Sequence, residues 1–240
     1  MKHFIGNIHL GIAVSLMLLA AAGCDRSSSR GDRTATSVDS LRYLALGDSY
    51  TIGESVDEKE RWPVLLAGLL RDRGFTIDAP RIIAKTGWTT DELREGIRKT
   101  DPDGKYDLVS LMIGVNNQYR GRDAEEYRIQ FRTLLEQAVG FASGRADRVI
   151  VVSIPDWGVT PFAEGRDRGG IAREIDAFNA IAREESESRS VCYVDVTPLS
   201  RETRNDPALV AKDGLHPSGK MHAAWARLIL PAAIAAVEED

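Results

Sequence analysis

The stretch LALGDSYTIG, from Leu44 to Gly53, joins the end of an apolar run to a short polar segment. The run from Leu41 to Leu46 predicts a buried strand. Gly47, Asp48 and Ser49 follow it directly and end the apolar pattern at once. The reason for placing a glycine, a carboxylate and a hydroxyl there depends on which other residues reach the same end of the fold.

The length and composition of the chain favour one sizeable domain. It has 240 residues, of which 43% are hydrophobic, and a formal net charge of -5. This hydrophobic content is enough to bury a single core. The mild acidity argues against a nucleic-acid partner, because neutralising phosphates requires a basic surface.

The N-terminal segment, residues 1–24, predicts a secretory signal. Lys2 precedes a short apolar run that ends in small residues and Cys24, which is the pattern of a signal peptide. The letters AAGC resemble the lipobox of bacterial lipoproteins, although Ala21 stands where that pattern usually has leucine. We therefore expect an exported protein that Cys24, once acylated, anchors to the membrane on the periplasmic or extracellular side. Ordinary cleavage after an Ala-x-Ala site is the alternative.

Residues 25–40 predict a flexible tether, because they contain almost no apolar side chains and cannot form a core. The folded domain is then expected to span residues 41–240. Its only cysteine is Cys192, so the mature domain cannot contain an internal disulfide framework. The apolar surroundings of Cys192 in the sequence predict a small core residue.

Short apolar runs alternate with segments of helical spacing along this domain. Five runs predict buried strands: Leu41–Leu46, Arg81–Ala84, Leu108–Ile113, Val149–Ile154 and Val191–Val196. The alternation predicts an α/β fold with a mostly parallel sheet and helices on both faces. Such sheets bind ligands beyond the carboxyl ends of their strands, so the polar residues that follow each strand should lie together. Pro231 predicts a kink or a break in the last helix.

The polar residues at these strand ends include the groups that acyl transfer requires. Ser49 supplies a hydroxyl, and His216 is the histidine that stands in a polar loop, with Asp213 three residues before it. The two N-terminal histidines leave with the signal, and His222 belongs to an apolar helical stripe. Nucleophile, base and orienting carboxylate are the components of a catalytic triad. A helix cap at Ser49 and an ordinary turn at Asp213 are the structural alternatives.

Four sequence blocks together resemble the SGNH, or GDSL-type, hydrolase family: LGDSYTIG, KTGWTT, IGVNNQ and DGLHPS. The resemblance implies a three-layer α/β/α sandwich with a flavodoxin-like five-stranded sheet in the order 2-1-3-4-5. Many members have aspartate where this chain has Asn117, which is expected to support its loop beside the pocket. The chain contains no G-x-S-x-G motif, which argues against an α/β-hydrolase elbow.

The same resemblance implies roles for individual residues. Ser49 would be the nucleophile, His216 the base and Asp213 its orienting partner. The backbone N–H groups of Ser49 and Gly87, with the side chain of Asn116, would form the oxyanion hole. No metal site or cofactor is predicted.

Two tryptophans predict the walls of a substrate pocket. Trp88 follows Gly87, and Trp157 opens the irregular segment 156–170, which is expected to cover the site. Packing at the rim is an equally good interpretation of both. The predicted function is a serine esterase acting on small acyl groups, such as those of acetylated sugars or lysophospholipids. An acyltransferase that uses the same triad and a non-catalytic module that binds a sugar or an anion are the alternatives.

Overall fold

The structure, a computed structural model, describes residues 40–238. The predicted signal segment, its Cys24 and residues 25–39 of the predicted tether lie outside the described residues.

A single parallel sheet forms the centre of the domain. Its five strands are β1 (Tyr43–Gly47), β2 (Arg81–Ala84), β3 (Leu108–Met112), β4 (Val149–Val152) and β5 (Cys192–Val194). They are ordered β2-β1-β3-β4-β5, and every neighbouring pair is parallel. The predicted fold class and strand order are confirmed. β3 and β4 end before the apolar runs that predicted them. The last apolar residues of those runs, Ile113 and Ile154, are buried in the turns that follow the strands.

Helices cover both faces of this sheet. They are α1 (Ser49–Ile52), α2 (Trp62–Asp72), α3 (Thr90–Thr100), α4 (Val115–Tyr119), α5 (Ala124–Phe141), α6 (Arg168–Glu187), α7 (Thr197–Arg201) and α8 (Gly219–Glu238). The helices α2 and α8 pack together, whereas α5 packs against both α3 and α6. The two groups of helices lie on opposite faces because crossovers between parallel strands are right-handed. The chain moves across the sheet in one direction from β1 to β2 and in the other direction from β3 to β5. The strand order therefore reverses at β1, and this reversal creates a crevice at its carboxyl end.

The last helix contains Pro231 without ending there. α8 continues past Pro231, so the predicted break does not occur. Pro231 and Arg227, whose carbonyl loses its helical partner, are both exposed, and water can satisfy that carbonyl. Pro217 lies before this helix, where it forms an isolated β-bridge with Val210, and the helix begins at Gly219. By length and composition, α8 is apolar enough to cross a membrane. Half of its apolar stretch is buried within the domain, however, as in a core helix.

Cys192 is exposed, so the prediction of a core position for it was wrong. It lies in β5, which pairs with β4 and is the edge strand of the five-stranded sheet. An edge strand of three residues is covered less completely than the central strands, and an apolar sequence context does not reveal which strand is at the edge.

A buried carboxylate joins α5 to α6. The side chain of Glu185 on α6 accepts hydrogen bonds from Arg132 at 2.9 Å, from Arg128 at 3.2 Å and from Arg189 at 3.0 Å. The hydrogen bonds from Arg132 and then Arg128 lower the pKa of Glu185 to about 2, against the opposing effect of burial. Ionised Glu185 is therefore favoured by the folded state.

Glu185→Gln is expected to lower the free energy of unfolding by about 2 kcal/mol at pH 7, because it removes charge-assisted hydrogen bonds from a buried site. A lowered pKa contributes stability above the unfolded pKa, and this contribution is lost as the pH falls through the folded value. Urea unfolding at pH 7 and near pH 3 should show the wild-type advantage shrinking in acid. If the difference in free energy of unfolding between wild type and Glu185→Gln is the same at both pH values, the lowered pKa of Glu185 is contradicted. Glu184→Gln, at an exposed neighbour that contacts Arg128, is the control.

Candidate active site

Ser49 lies at the reversal of strand order, where β1 turns directly into α1. It is the first residue of α1 and is buried. The turn is tight at Gly47, where a Cβ would collide with the Thr51 hydroxyl and lie 2.5 Å from the carbonyl oxygen of Met112 on β3. A side chain at position 47 would therefore push α1 away from the sheet. The glycine in the opening motif is required by this close approach.

Asp48 caps this short helix from a fully buried position. Its Oδ1 accepts a hydrogen bond from the backbone N–H of Tyr50 at 3.1 Å, and its Oδ2 lies 3.4 Å from Nδ2 of Asn116. Burial raises the pKa of Asp48 to about 7, although these hydrogen bonds oppose the shift. The cap thus connects the serine turn to the asparagine that follows β3.

The loop before α8 holds His216 and Asp213 in contact. His216 Nδ1 lies 2.6 Å from Asp213 Oδ2, while Oδ1 accepts the backbone N–H groups of Leu215 and His216, each at 2.9 Å. Ser55 Oγ also donates to Oδ2, at 2.7 Å. Burial acts to raise the pKa of Asp213, but the hydrogen bonds from Ser55, His216 and the backbone outweigh it and hold that pKa well below its usual range. A carboxylate that stays ionised fixes the orientation of the imidazole ring.

His222, the other histidine within residues 40–238, is unsuited to act as a base. It is fully buried on α8, and its Nδ1 accepts the backbone N–H of Trp62 at 3.3 Å. Burial, with a smaller contribution from His216, lowers the pKa of His222 to about 3. This ring therefore belongs to the packing between α2 and α8.

The turns after β2 and β3 bring Gly87 and Asn116 to the same edge. Gly87 has a left-handed backbone with φ of 85°, a conformation that favours glycine. Its carbonyl oxygen accepts a hydrogen bond from Arg120 at 2.6 Å. Asn116 Nδ2 donates to the carbonyl oxygen of Trp88 at 2.9 Å, so the amide is tied to the turn that contains Gly87.

Ser49, Asn116 and His216 line one cavity of about 160 Å³ at the carboxyl edge of the sheet. Val115, Leu215 and the rings of Tyr119, Trp157 and Phe162 complete most of its wall. No hydrogen bond joins Ser49 Oγ to His216 in this part of the chain. Such bonds are often long in enzymes without substrate and shorten when it binds.

The predicted pocket residues occupy different positions. Trp157 lines the cavity, and its Nε1 donates to Gln118 at 2.8 Å. Trp88 packs instead against Gly96 on α3, where its ring leaves no room for a Cβ. Asn117 is fully buried and bonds to Thr90 twice, at 2.7 and 3.0 Å, so it supports the start of α3.

Sequence reasoning missed several residues at the site, among them Tyr119, Phe162 and Ser55. Tyr119 lies three positions after Asn116 on α4, and this helical spacing was an available signal. Phe162 lies within the segment 156–170, which was predicted to cover the cavity and forms part of its wall. Ser55 offered no signal, because its contact with Asp213 spans 158 positions of the chain.

The arrangement supplies the groups that nucleophilic acyl substitution requires. A hydroxyl and an imidazole face one cavity, a carboxylate orients the imidazole, and an amide donor stands beside them. Hydrolysis of an ester uses these groups in turn to attack the carbonyl, to move the proton and to stabilise the oxyanion.

Comparison with family models matches residues 45–224 to the GDSL-like lipase/acylhydrolase family. This match covers most of the chain and includes all four blocks on which the resemblance rested. A comparison with curated proteins finds no match.

Solved structures share the fold at low sequence identity. A lipase/acylhydrolase from Enterococcus faecalis is 19% identical, with a TM-score of 0.64 over 80% of this chain and 94% of that one. Axe2, an acetylxylan esterase from Geobacillus stearothermophilus, is 23% identical, with a TM-score of 0.61 over 80% and 94% of the two chains. The structure of TesA is 18% identical, with a TM-score of 0.61 over 80% and 97%.

Burial of Asp48 makes the stability of the domain dependent on pH. Its pKa rises from 3.8 to about 7 on folding, so its contribution to stability is complete below the unfolded pKa and is lost as the pH rises through the folded value. Asp48→Asn keeps a cap acceptor and cannot ionise. Its free energy of unfolding relative to wild type should therefore increase between about pH 4 and pH 8.

Urea unfolding across this range measures the effect. Asp123→Asn, the same change at the exposed N-cap of α5, separates the effect of burial from that of capping. A constant difference between Asp48→Asn and wild type would contradict the raised pKa.

Proposed function

The chain belongs to the GDSL-like lipase/acylhydrolase family and is a carboxylic ester hydrolase, and from this premise we propose that Ser49, His216 and Asp213 form its catalytic triad. Ser49 Oγ attacks the ester carbonyl, and His216 Nε2 takes the proton and returns it to the leaving alcohol. Asp213 holds the ring with Nδ1 as the donor. The observation that carries this proposal is the pair of His216 and Asp213, 2.6 Å apart, beside the cavity that Ser49 lines.

The oxyanion would be bound by the backbone N–H groups of Ser49 and Gly87 and by Nδ2 of Asn116. Two features support this assignment. Ser49 opens a helix and Gly87 has a left-handed backbone, so the N–H groups at both turns are outside the strand ladders. One N–H of Asn116 Nδ2 is held by the carbonyl oxygen of Trp88 at 2.9 Å, which orients the amide before substrate binds, and the second, whose contact with Asp48 is long at 3.4 Å, is the donor proposed for the oxyanion.

The substrate is proposed to have a small acyl group. The cavity of about 160 Å³ is bounded by the rings of Tyr119, Trp157 and Phe162, and a cavity of roughly this size holds one benzene ring. The family assignment favours hydrolysis, in which water releases the acyl group from Ser49. An acyltransferase would use the same residues, so analysis of the products with and without added alcohols separates the two reactions.

Ser49→Ala is expected to lower kcat/KM for p-nitrophenyl acetate by at least about 10⁴-fold, because it removes the nucleophile. The wild-type protein should react with a fluorophosphonate, and mass spectrometry should place the adduct on Ser49. Ser188→Ala, a change at an exposed serine at the end of α6, should leave both results unchanged. Full activity in Ser49→Ala, or an adduct on another residue, would refute the assignment.

Asn116→Ala is expected to lower kcat by about 100- to 1000-fold with little change in KM, because the lost donor acts mainly in the transition state. Steady-state kinetics on the same ester test this, with circular dichroism to confirm the fold. Asn205→Ala, at an exposed turn, is the matched control. A rise in KM with unchanged kcat would place Asn116 in ground-state binding instead.

A further inference from the structure

Three aromatic rings form one wall of the cavity and extend beyond it to the surface. Tyr119 and Trp157 have ring centroids 5.4 Å apart, and Phe162 lies 6.2 Å from the first and 5.9 Å from the second. Trp157 is buried, but Tyr119 is 47% exposed and Phe162 is 39% exposed. Adjacent exposed aromatic side chains beside a catalytic cavity are a binding surface for the part of a ligand that projects from it.

The guanidinium group of Arg166 lies over all three of these rings. Its Cζ is 4.8 Å from the ring centroid of Phe162, 5.3 Å from that of Trp157 and 5.5 Å from that of Tyr119. Cation–π contacts of this kind hold an arginine in place without using its N–H donors. The position of the positive charge is thus set by the same rings that line the cavity.

Arg166 also lacks a carboxylate partner within residues 40–238. The donors of three other arginines have partners: Arg201 pairs with Asp156 and Asp176, Arg173 lies 3.8 Å from Asp167, and Arg168 donates to the carbonyl oxygen of Thr160. The side chain of Arg166 is exposed, and it makes neither an ion pair nor a hydrogen bond to any other residue between 40 and 238. A fixed guanidinium fork with free donors matches a carboxylate or a phosphate.

We propose that Arg166, held over Tyr119, Trp157 and Phe162, binds an anionic group of the substrate, so that the preferred esters carry a carboxylate or phosphate outside the cavity. This inference rests on the proposed function, because it takes the cavity of Ser49 as the place where the ester reacts. The anion can belong to the acyl part or to the alcohol, and in both cases the aromatic wall contacts the apolar portion that joins it to the ester.

Two pairs of esters locate the anion. Phenyl acetate and 4-acetoxybenzoate differ by a carboxylate on the alcohol, and p-nitrophenyl hexanoate and mono-p-nitrophenyl adipate differ by a carboxylate on the acyl chain. Wild-type protein is expected to show a higher kcat/KM for the charged member of at least one pair. Because the site is open to solvent, this preference should decrease as salt is added.

Arg166→Met keeps an apolar stem over the rings and removes the charge. It should lower kcat/KM for the preferred charged ester roughly tenfold through KM, while the neutral ester changes less than about twofold. Arg166→Lys should retain part of the preference, since it keeps the charge without the fork. Arg173→Met, which removes an exposed arginine that is already paired, should have no effect.

The outcomes distinguish this inference from the proposed function. If Ser49→Ala abolishes hydrolysis but wild type shows no preference for a charged ester, the anion site is refuted and the triad stands. If Arg166→Met lowers charged and neutral esters equally, Arg166 only supports the aromatic wall, and the inference is also refuted. Activity that survives in Ser49→Ala overturns the proposed function itself.

Discussion

The close approach of β1, α1 and β3 at Gly47 is the constraint on which the site depends. A side chain there would strike Thr51 and the carbonyl oxygen of Met112, so only glycine lets the chain turn from strand to helix within two residues. This turn leaves Ser49 at the point where the strand order reverses. Because the loops on either side diverge at that point, space opens in front of the hydroxyl.

The same turn places a carboxyl group where water cannot reach it. Asp48 is fully buried, and burial of a carboxylate is unfavourable unless hydrogen bonds compensate for it. The two bonds that it accepts connect α1 to Asn116, and Asn116 is connected in turn to the Gly87 turn through Trp88. Three strand-end turns therefore share one network, and a shift in any of them would move the others.

The support of His216 comes from a different part of the chain. Asp213 accepts hydrogen bonds from its own loop and from Ser55, which follows the serine helix. Ser55, six residues after Ser49, thus contacts the loop that contains His216. Asp48 contacts Asn116 on the other side of the cavity, so residues close to β1 hold both sides. The segment 157–163 closes a further side with Trp157 and Phe162.

Much of this molecule follows from local sequence. The apolar runs and the helical stripes predict the parallel sheet, because buried strands and amphipathic helices have different periods. The order of the blocks predicts that Ser49, Gly87, Asn116 and His216 meet at one edge, because parallel strands end on the same side. Local patterns do not show which side chains turn towards the cavity. Trp88 packs on Gly96 of α3, because a contact with another element decides where its ring lies. Cys192 is exposed because its strand is at the edge of the sheet. The contacts of Ser55 with Asp213 and of Arg166 with three rings join distant segments, and only the tertiary structure brings those segments together.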